Sequence, residues 1–383
     1  MRDREDVIAG ALLGTAVGDA LGLPLEGLSP RRAARLFPGP VRHRLLPGRG
    51  LLSDDTEHAC LVGQALLASD GDPPRFARSL GWRLRGWLLG LPGGVGWATL
   101  RACLKLWLGF GPGRSGVRSA GNGPAMRAPL LGACASDDDA RLAAWLRAST
   151  RLTHTDPRAE EGALAVALAA REGAHRGPDG IDAAAFLAAL PGEIARLRGE
   201  EATEDLRRAL GQVAAHLDRP GADLARAMSL ERGVTGYVLH TVPVALHAFL
   251  RHPGDPRAAL TEVLALGGDA DTVGAITGGL VGATAGARAL PPEWVDGIAD
   301  WPRSVSWLRR LAGRLARCFP AHGRAVPVPG ASSREADPSA TPHLPAAGPG
   351  EPLPLFWPAL LPRNALFLLV VVAHALRRLL PPY

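Results

Sequence analysis

Lysine is almost absent from this chain. Lys105 is the only one, so arginine carries nearly all of the basic charge. The formal balance over 383 residues is only +6, acidic residues are interleaved with the arginines, and no long basic run carries interspersed aromatics. A nucleic-acid surface needs such a run, and no nucleic-acid partner is expected. Cysteine is scarce too. Cys60, Cys103, Cys134 and Cys318 are too few and too widely spaced for a disulfide scaffold or a thiolate zinc site, and three lie in apolar helical surroundings that suit buried free thiols. Long apolar runs are missing as well: the strongest, ALFLLVVVA from Ala365 to Ala373, is nine residues long, whereas a membrane span needs about 20. It reads as a buried C-terminal helix continued by Leu376, Leu379 and Leu380, with Arg377 and Arg378 near its end where basic charge is favoured, so no transmembrane segment is expected. The N-terminal MRDREDVIAG is acidic where a secretion signal would be basic and apolar, which makes a cytoplasmic location the expectation.

Glycine, by contrast, is placed with a period. In GGDADTVGAITGGLVGATAG, residues 267 to 286, Gly274, Gly278, Gly282 and Gly286 recur every fourth position, and Gly10, Gly14, Gly18 and Gly22 repeat the stripe in EDVIAGALLGTAVGDALG. Residues four apart lie one above another on a helix, so each stripe is a nearly smooth face. Each interior glycine costs about 1 kcal/mol of helix propensity against alanine. Close approach of another backbone compensates for that cost, and two such stripes suggest helices packed backbone to backbone near a shared centre, the alternative being two unrelated glycine-rich helices.

Acids cluster at the ends of these elements. Asp269, Asp271 and Thr272 open the second glycine helix, Asp19 sits beside the first stripe, and Glu26 follows the breaker Pro24. In LLSDDTEHACLVGQALLAS, Ser53 can cap a helix with Asp54 and Asp55 in its first turn. Acids in a first turn read equally as ordinary helix charge. Taken together, Ser53, Asp54, Asp55, Asp269, Asp271 and Thr272 offer only oxygen, which suits magnesium or manganese and not zinc. Clustered carboxylates repel one another, and two divalent ions would relieve that repulsion.

The stretches GALLGTAVGDALGLPLE at 10 to 26, SDDT at 53 to 56, GNGPAMR at 121 to 127, THTDP at 153 to 157 and GGDADTVGAITGG at 267 to 279 resemble, in order, the motifs of the ADP-ribosylglycohydrolase family. The resemblance implies an all-α, compact orthogonal helical fold holding two Mg2+ ions, with Mn2+ as the alternative, in a cleft. It places Ser53, Asp54, Asp55 and Asp271 on one ion and Asp269, Asp271 and Thr272 on the other. Glu26, Asp55 and Asp269 become the catalytic candidates, and Ser119, Gly121, Asn122, Gly123, Met126 and His154 the substrate-binding ones. Many relatives have threonine where Ser53 stands, and some have an aromatic residue against the adenine where Ala120 stands, so adenine stacking must come from elsewhere or be weaker.

The implied reaction is hydrolysis of the glycosidic bond between ADP-ribose and an arginine or serine side chain. The partner is then an ADP-ribosylated protein or a small ADP-ribosyl conjugate, met by a monomer. Two other readings are a hydrolase of small ADP-ribose derivatives or other nucleotide sugars, and a non-enzymatic structural protein, since a lens crystallin resembles the family. Several residues read two ways from sequence alone. Trp82, Trp87, Trp97 and Trp107 fit core packing better than a stacking surface. The glycines of 111 to 127 can expose N–H groups to phosphate, Tyr237 can reach the cleft, and Pro243 interrupts a helix. The organisation expected is a helical domain over 1–319, a Pro/Gly/Ala-rich connector over 320–354 and a docked C-terminal helix over 355–383.

Overall fold

The computed structural model describes residues 3–135, 138–320 and 350–378. Its architecture is all-α: among the described residues the only β-type pairings are isolated bridges between loops. Most of the expected connector, together with Leu379 and Leu380, lies outside the described residues.

The centre is an antiparallel pair of helices, Arg4–Gly22 and Ala270–Ala285. A methyl group placed on Gly10, Gly14, Gly18 or Gly22 would lie 2.0, 2.0, 1.9 or 2.3 Å from the carbonyl oxygen of Gly282, Gly278, Gly274 or Ala270. Only hydrogen fits at those distances, so the two stripes fix the register of the pair one turn at a time. Gly286 departs from the stripe. It ends its helix in the left-handed region at φ 92°, with the Asp6 carboxylate where a side chain would stand. The helices Asp54–Ser69, Pro157–Arg176, Val238–Arg251 and Val305–Cys318 pack around this pair and enclose one continuous apolar core. Val238–Arg251 runs unbroken through Pro243, so that proline does not interrupt it.

Two breaks in this frame create the cleft. Pro24 turns the end of the opening helix into the short 3-10 segment Leu23–Leu25, which leaves Glu26 in a turn. Gly267 and Gly268 adopt left-handed φ values of 62° and 78°, which lets one strand of loop pair on both sides. Gly27 N–H donates to Gly268 O at 2.7 Å, Gly268 N–H to Leu28 O at 2.8 Å, and Asp269 N–H to Val234 O at 2.8 Å. The turn carrying Glu26 is thereby tied to the entrance of the helix carrying Asp271.

The C-terminal helix, Leu360–Arg377, is helical as expected but not buried as expected. Only Leu360, Asn364 and Phe367 are buried, with Val370 and Val371 partly covered beside Phe367, while Leu361, Leu366, Leu368, Leu369, Val372 and Leu376 are exposed. Because the segment is apolar all round, a single narrow stripe of contacts cannot cover it. Judged by length and composition, the stretches Arg4–Leu25 and Trp357–Arg377 could each cross a membrane; the first is wholly buried core, whereas only 22% of the second is buried. Polar anchors hold the tail helix in place. Arg363 pairs with the buried Asp300 and Glu57, Asn364 Nδ2 donates to Gly90 O at 2.6 Å, and His374 Nε2 lies 2.6 Å from Leu45 O.

Candidate functional site

The acids and the glycine loop meet around a cavity of about 540 Å³. Glu26, Asp54, Asp269, Asp271 and Thr272 form one wall, while Ser119, Gly121, Asn122, Gly123, Met126 and His154 form the facing one. Eleven of the sequence-derived site residues thus come together in one cavity. Ser53 and Asp55 do not line it. They sit behind, where the Ser53 and Thr272 hydroxyls both donate to Asp55 Oδ2 at 3.2 Å.

Asp19 builds this back wall, a role its sequence position gave no sign of. Fully buried, it accepts the Ser53 backbone N–H at 2.9 Å, the Thr56 N–H at 3.2 Å and the Thr56 hydroxyl. These bonds seat the first turn of Asp54–Ser69 on the glycine-paired core. Burial pushes the Asp19 carboxyl up to about 6 despite the hydrogen bonds that favour its ionised form. Beneath the same helix, Glu57 accepts from Trp87 Nε1 at 2.6 Å and pairs with Arg303 at 2.7 Å.

The acids share one electrostatic field. Burial first, then neighbouring carboxylates, hold Asp55 and Asp271 well above the usual carboxylate range. Asp54 moves the same way, although part of its surface opens to the cavity. Glu26 stands exposed on the cavity side of its turn and is raised by desolvation and by Asp269, while its hydrogen bond with Asp271 and the nearby Arg378 pull it down. The Glu26 carboxylate is among the neighbours that raise Asp271, so the two groups do not titrate independently.

The expectation of a dinuclear magnesium or manganese centre is not met. Among the described residues, no group of three or more His, Cys, Asp or Glu side chains is arranged to hold a metal ion. Several oxygens of the expected ligands are taken up by protein donors, while Asp55 Oδ1 is buried without a hydrogen-bond partner. Asp269 Oδ2 accepts Asn122 Nδ2 at 2.6 Å, Asp271 Oδ1 accepts the Thr272 N–H at 2.9 Å, and Asp55 Oδ2 takes two hydroxyls. The crowded negative charge is relieved by raised proton affinity and by these donors.

The facing wall explains its own glycines. The ring atoms Nε2 and Cε1 of His154 lie 3.0 Å from where a side chain on Gly121 and on Gly123, respectively, would begin. A side chain at either glycine would crowd the imidazole edge and push it aside by a few tenths of an ångström. His154 Nδ1 is 2.9 Å from the Thr153 hydroxyl, which also accepts from the buried Arg127 at 2.7 Å. Burial and then Arg127 push the His154 imidazole down to about 3, so it is neutral at ordinary pH. The expected phosphate cradle is partly spent. Gly121 N–H already donates to Ser119 Oγ at 3.2 Å and Asn122 N–H to Gly236 O at 3.0 Å, so this loop shapes the wall more than it offers free donors.

The tryptophans divide against expectation. Trp87 is core, but Trp82, Trp97 and Trp107 are exposed, and Trp97, 72% exposed, lines the cavity. Helical periodicity marks a face without saying what covers it. Tyr237 does not line the cavity; its backbone pairs with Gly121 instead. Thr99, Thr235 and Gly236 also line the cavity, and Thr241 supports Asn122 at 3.0 Å. None of these four carried a signal in sequence beyond being small or polar.

Comparison with known proteins gives this geometry a family. The sequence model of ADP-ribosylglycohydrolase matches residues 1–325. An ADP-ribosyl-[dinitrogen reductase] glycohydrolase of Rhodospirillum rubrum is 27% identical over 323 residues, covering 80% of this chain and 97% of its own. An ADP-ribosylarginine hydrolase of Pseudomonas putida is 30% identical over 314 residues, covering 79% and 76%. A solved structure titled as an ADP-ribosylglycohydrolase-related protein complex superposes with a TM-score of 0.61 at 30% identity, over 83% of this chain and all of that one. With its motifs in one cavity and its helices in that arrangement, the chain belongs to the ADP-ribosylglycohydrolase family.

Proposed function

We propose that the protein hydrolyses the glycosidic bond joining ADP-ribose to a protein side chain, with arginine as the acceptor. The observation that carries this reading is the group of three carboxyl side chains, Glu26, Asp269 and Asp271, lining one cavity. Cleavage of a glycoside needs a carboxylic acid to protonate the departing atom and a carboxylate to activate water or steady the positive charge that builds on the ribose. Glu26, open to the cavity, serves as the acid and base that exchanges protons with substrate and water. Asp269, oriented by Asn122, holds ribose hydroxyls beside the reacting carbon. Asp55 acts from behind, through the hydroxyl of Thr272.

Ser119, Gly121, Asn122, Gly123, Met126 and neutral His154 form the wall against which the ribose and diphosphate are laid. Trp97 offers a flat aromatic face at the same cavity and takes over the adenine stacking that Ala120 cannot provide. The choice of arginine draws support from the relative named for ADP-ribosylarginine.

The test is release of ADP-ribose from arginine-linked, serine-linked and small-molecule-linked substrates. Arginine-linked substrate is expected to turn over fastest, with Glu26→Gln about 100-fold or more slower. Preference for the small conjugates would move the reading to that class, and no release from any of them would refute it.

A further inference from the structure

The tail helix reaches the active site with one side chain. At its end Arg378 turns inward, half-buried, and its two terminal nitrogens fork onto the turn that carries Glu26: Nη1 donates to Glu26 O and Nη2 to Pro24 O, both at 2.8 Å. Arg32 in turn donates to Arg378 O, which closes the contact from the other side. The inner edge of the same turn is held by Gly268 through Gly27 N–H and Leu28 O. Arg378 is thus the outer half of a two-sided grip on a turn of three peptide units.

We infer that Arg378 is a positioning residue, one that fixes the backbone of Leu25 and Glu26 so that the Glu26 carboxyl faces the cavity. The inference rests on the reading of Glu26 as the acid of the site. Its physical basis is geometric. The two carbonyls grasped by the guanidinium bracket Leu25 and Glu26, and fixing both ends of that segment fixes the dihedrals between them, including ψ 132° at Glu26. An arginine suits the task because its planar fork presents paired donors at a set spacing, whereas a lysine ammonium is a single point.

The anchors of the tail helix give the fork a rigid base. Arg363 with Asp300 and Glu57, Asn364 on Gly90 and His374 on Leu45 hold the helix along its length. The tail also lies beyond residues 1–325, the segment shared with the family.

The experiment compares the full chain with Arg378→Ala and Arg378→Lys, measuring kcat, KM and Tm for ADP-ribose release, with and without millimolar guanidinium in the assay. Displacing a catalytic group by about 1 Å costs up to about 100-fold in rate, and a loss of about tenfold or more in kcat is expected for Arg378→Ala, with KM changed less than about twofold. Tm should stay within about 2 °C, because the clamp touches no core. Free guanidinium should restore part of the alanine variant's rate, and the lysine variant should remain slow. An unchanged kcat in Arg378→Ala overturns the inference, as does a loss that tracks a fall in Tm and is not rescued. Glu26→Gln separates the two claims. An active Glu26→Gln removes the reading of Glu26 itself, while an inactive one beside an unimpaired Arg378→Ala removes only the clamp.

Discussion

Two apolar helices of this molecule, Arg4–Gly22 and Leu360–Arg377, have similar length and mean hydropathy but opposite surroundings. The first is buried from Val7 to Gly22 and docks through bare backbone on Ala270–Ala285; the second lies on the surface and docks through arginine, asparagine and histidine. Hydrophobicity alone does not decide which helix becomes core. Small residues at a fixed spacing allow two backbones to approach, and that approach excludes water from every side. Bulky residues all round a helix keep its neighbours at side-chain distance, so polar anchors must set its position. The active site lies between these two modes. Asp269 and Asp271 open one of the glycine-paired helices, and the most exposed acid, Glu26, is gripped by the tail.

The sharpest way to break the contrast is to put a methyl group into the glycine seam. Gly18→Ala would set a carbon 1.9 Å from Gly274 O, which is backbone and cannot rotate away. The expected loss is about 3 kcal/mol or more, a large share of the stability of an ordinary domain. Soluble yield and a thermal melt check it, and a melt like that of the parent chain would mean that the seam is not tight. At the tail, Phe367→Ala removes the buried ring that packs with Leu23, Leu45 and Leu51. About 3 kcal/mol is expected here too, but as a local loss in which the tail helix lifts while the glycine-paired core keeps its melt. Hydrogen exchange along 360–377, compared with 270–285, separates local from global opening.

Much of the central architecture could be read from the sequence because it depends on spacing. Glycines four apart, a proline after Leu23 and acids after Ser53 carry their meaning within a few residues of chain, whereas the fold and the site residues from Ser119 to His154 are expected from the family resemblance of the motifs. What spacing does not carry is direction. Oxygen-bearing side chains at Asp269 and Asp55 suggest metal ligands, but Asp269 is taken by Asn122 and Asp55 by Thr272, partners distant in sequence. Asp19 looked like one acid beside a stripe, and its role exists only once residues 53–56 fold over it. Trp97 and the face of the tail helix were misjudged for a related reason: periodicity identifies an apolar side, whereas exposure depends on whether another element arrives to cover it.

Glycines outside the seam should behave in the opposite way. Gly86 lies inside the helix Pro73–Leu89, and a side chain there meets nothing within 4 Å. Gly86→Ala should therefore raise stability by about 0.5–1 kcal/mol through helix propensity and a less flexible unfolded chain. A small rise in Tm is the expected result. A fall would show that spacing and open volume do not distinguish a packing glycine from an incidental one.

The smallest effect is expected at the outer face of the tail. Leu369 is 66% exposed, so folding hides little of its surface from water. Leu369→Ser should change stability by no more than about 0.5 kcal/mol, in contrast to Phe367→Ala two residues away. Because Leu369 touches none of the polar anchors, kcat should also stay at the parent level, which makes this variant a control for the Arg378 substitutions. A stability loss comparable to that at Phe367 would mean that the outer face is covered in solution. The tail helix would then belong with Arg4–Gly22 as a buried element, and the distinction between backbone docking and polar anchoring would no longer separate the two.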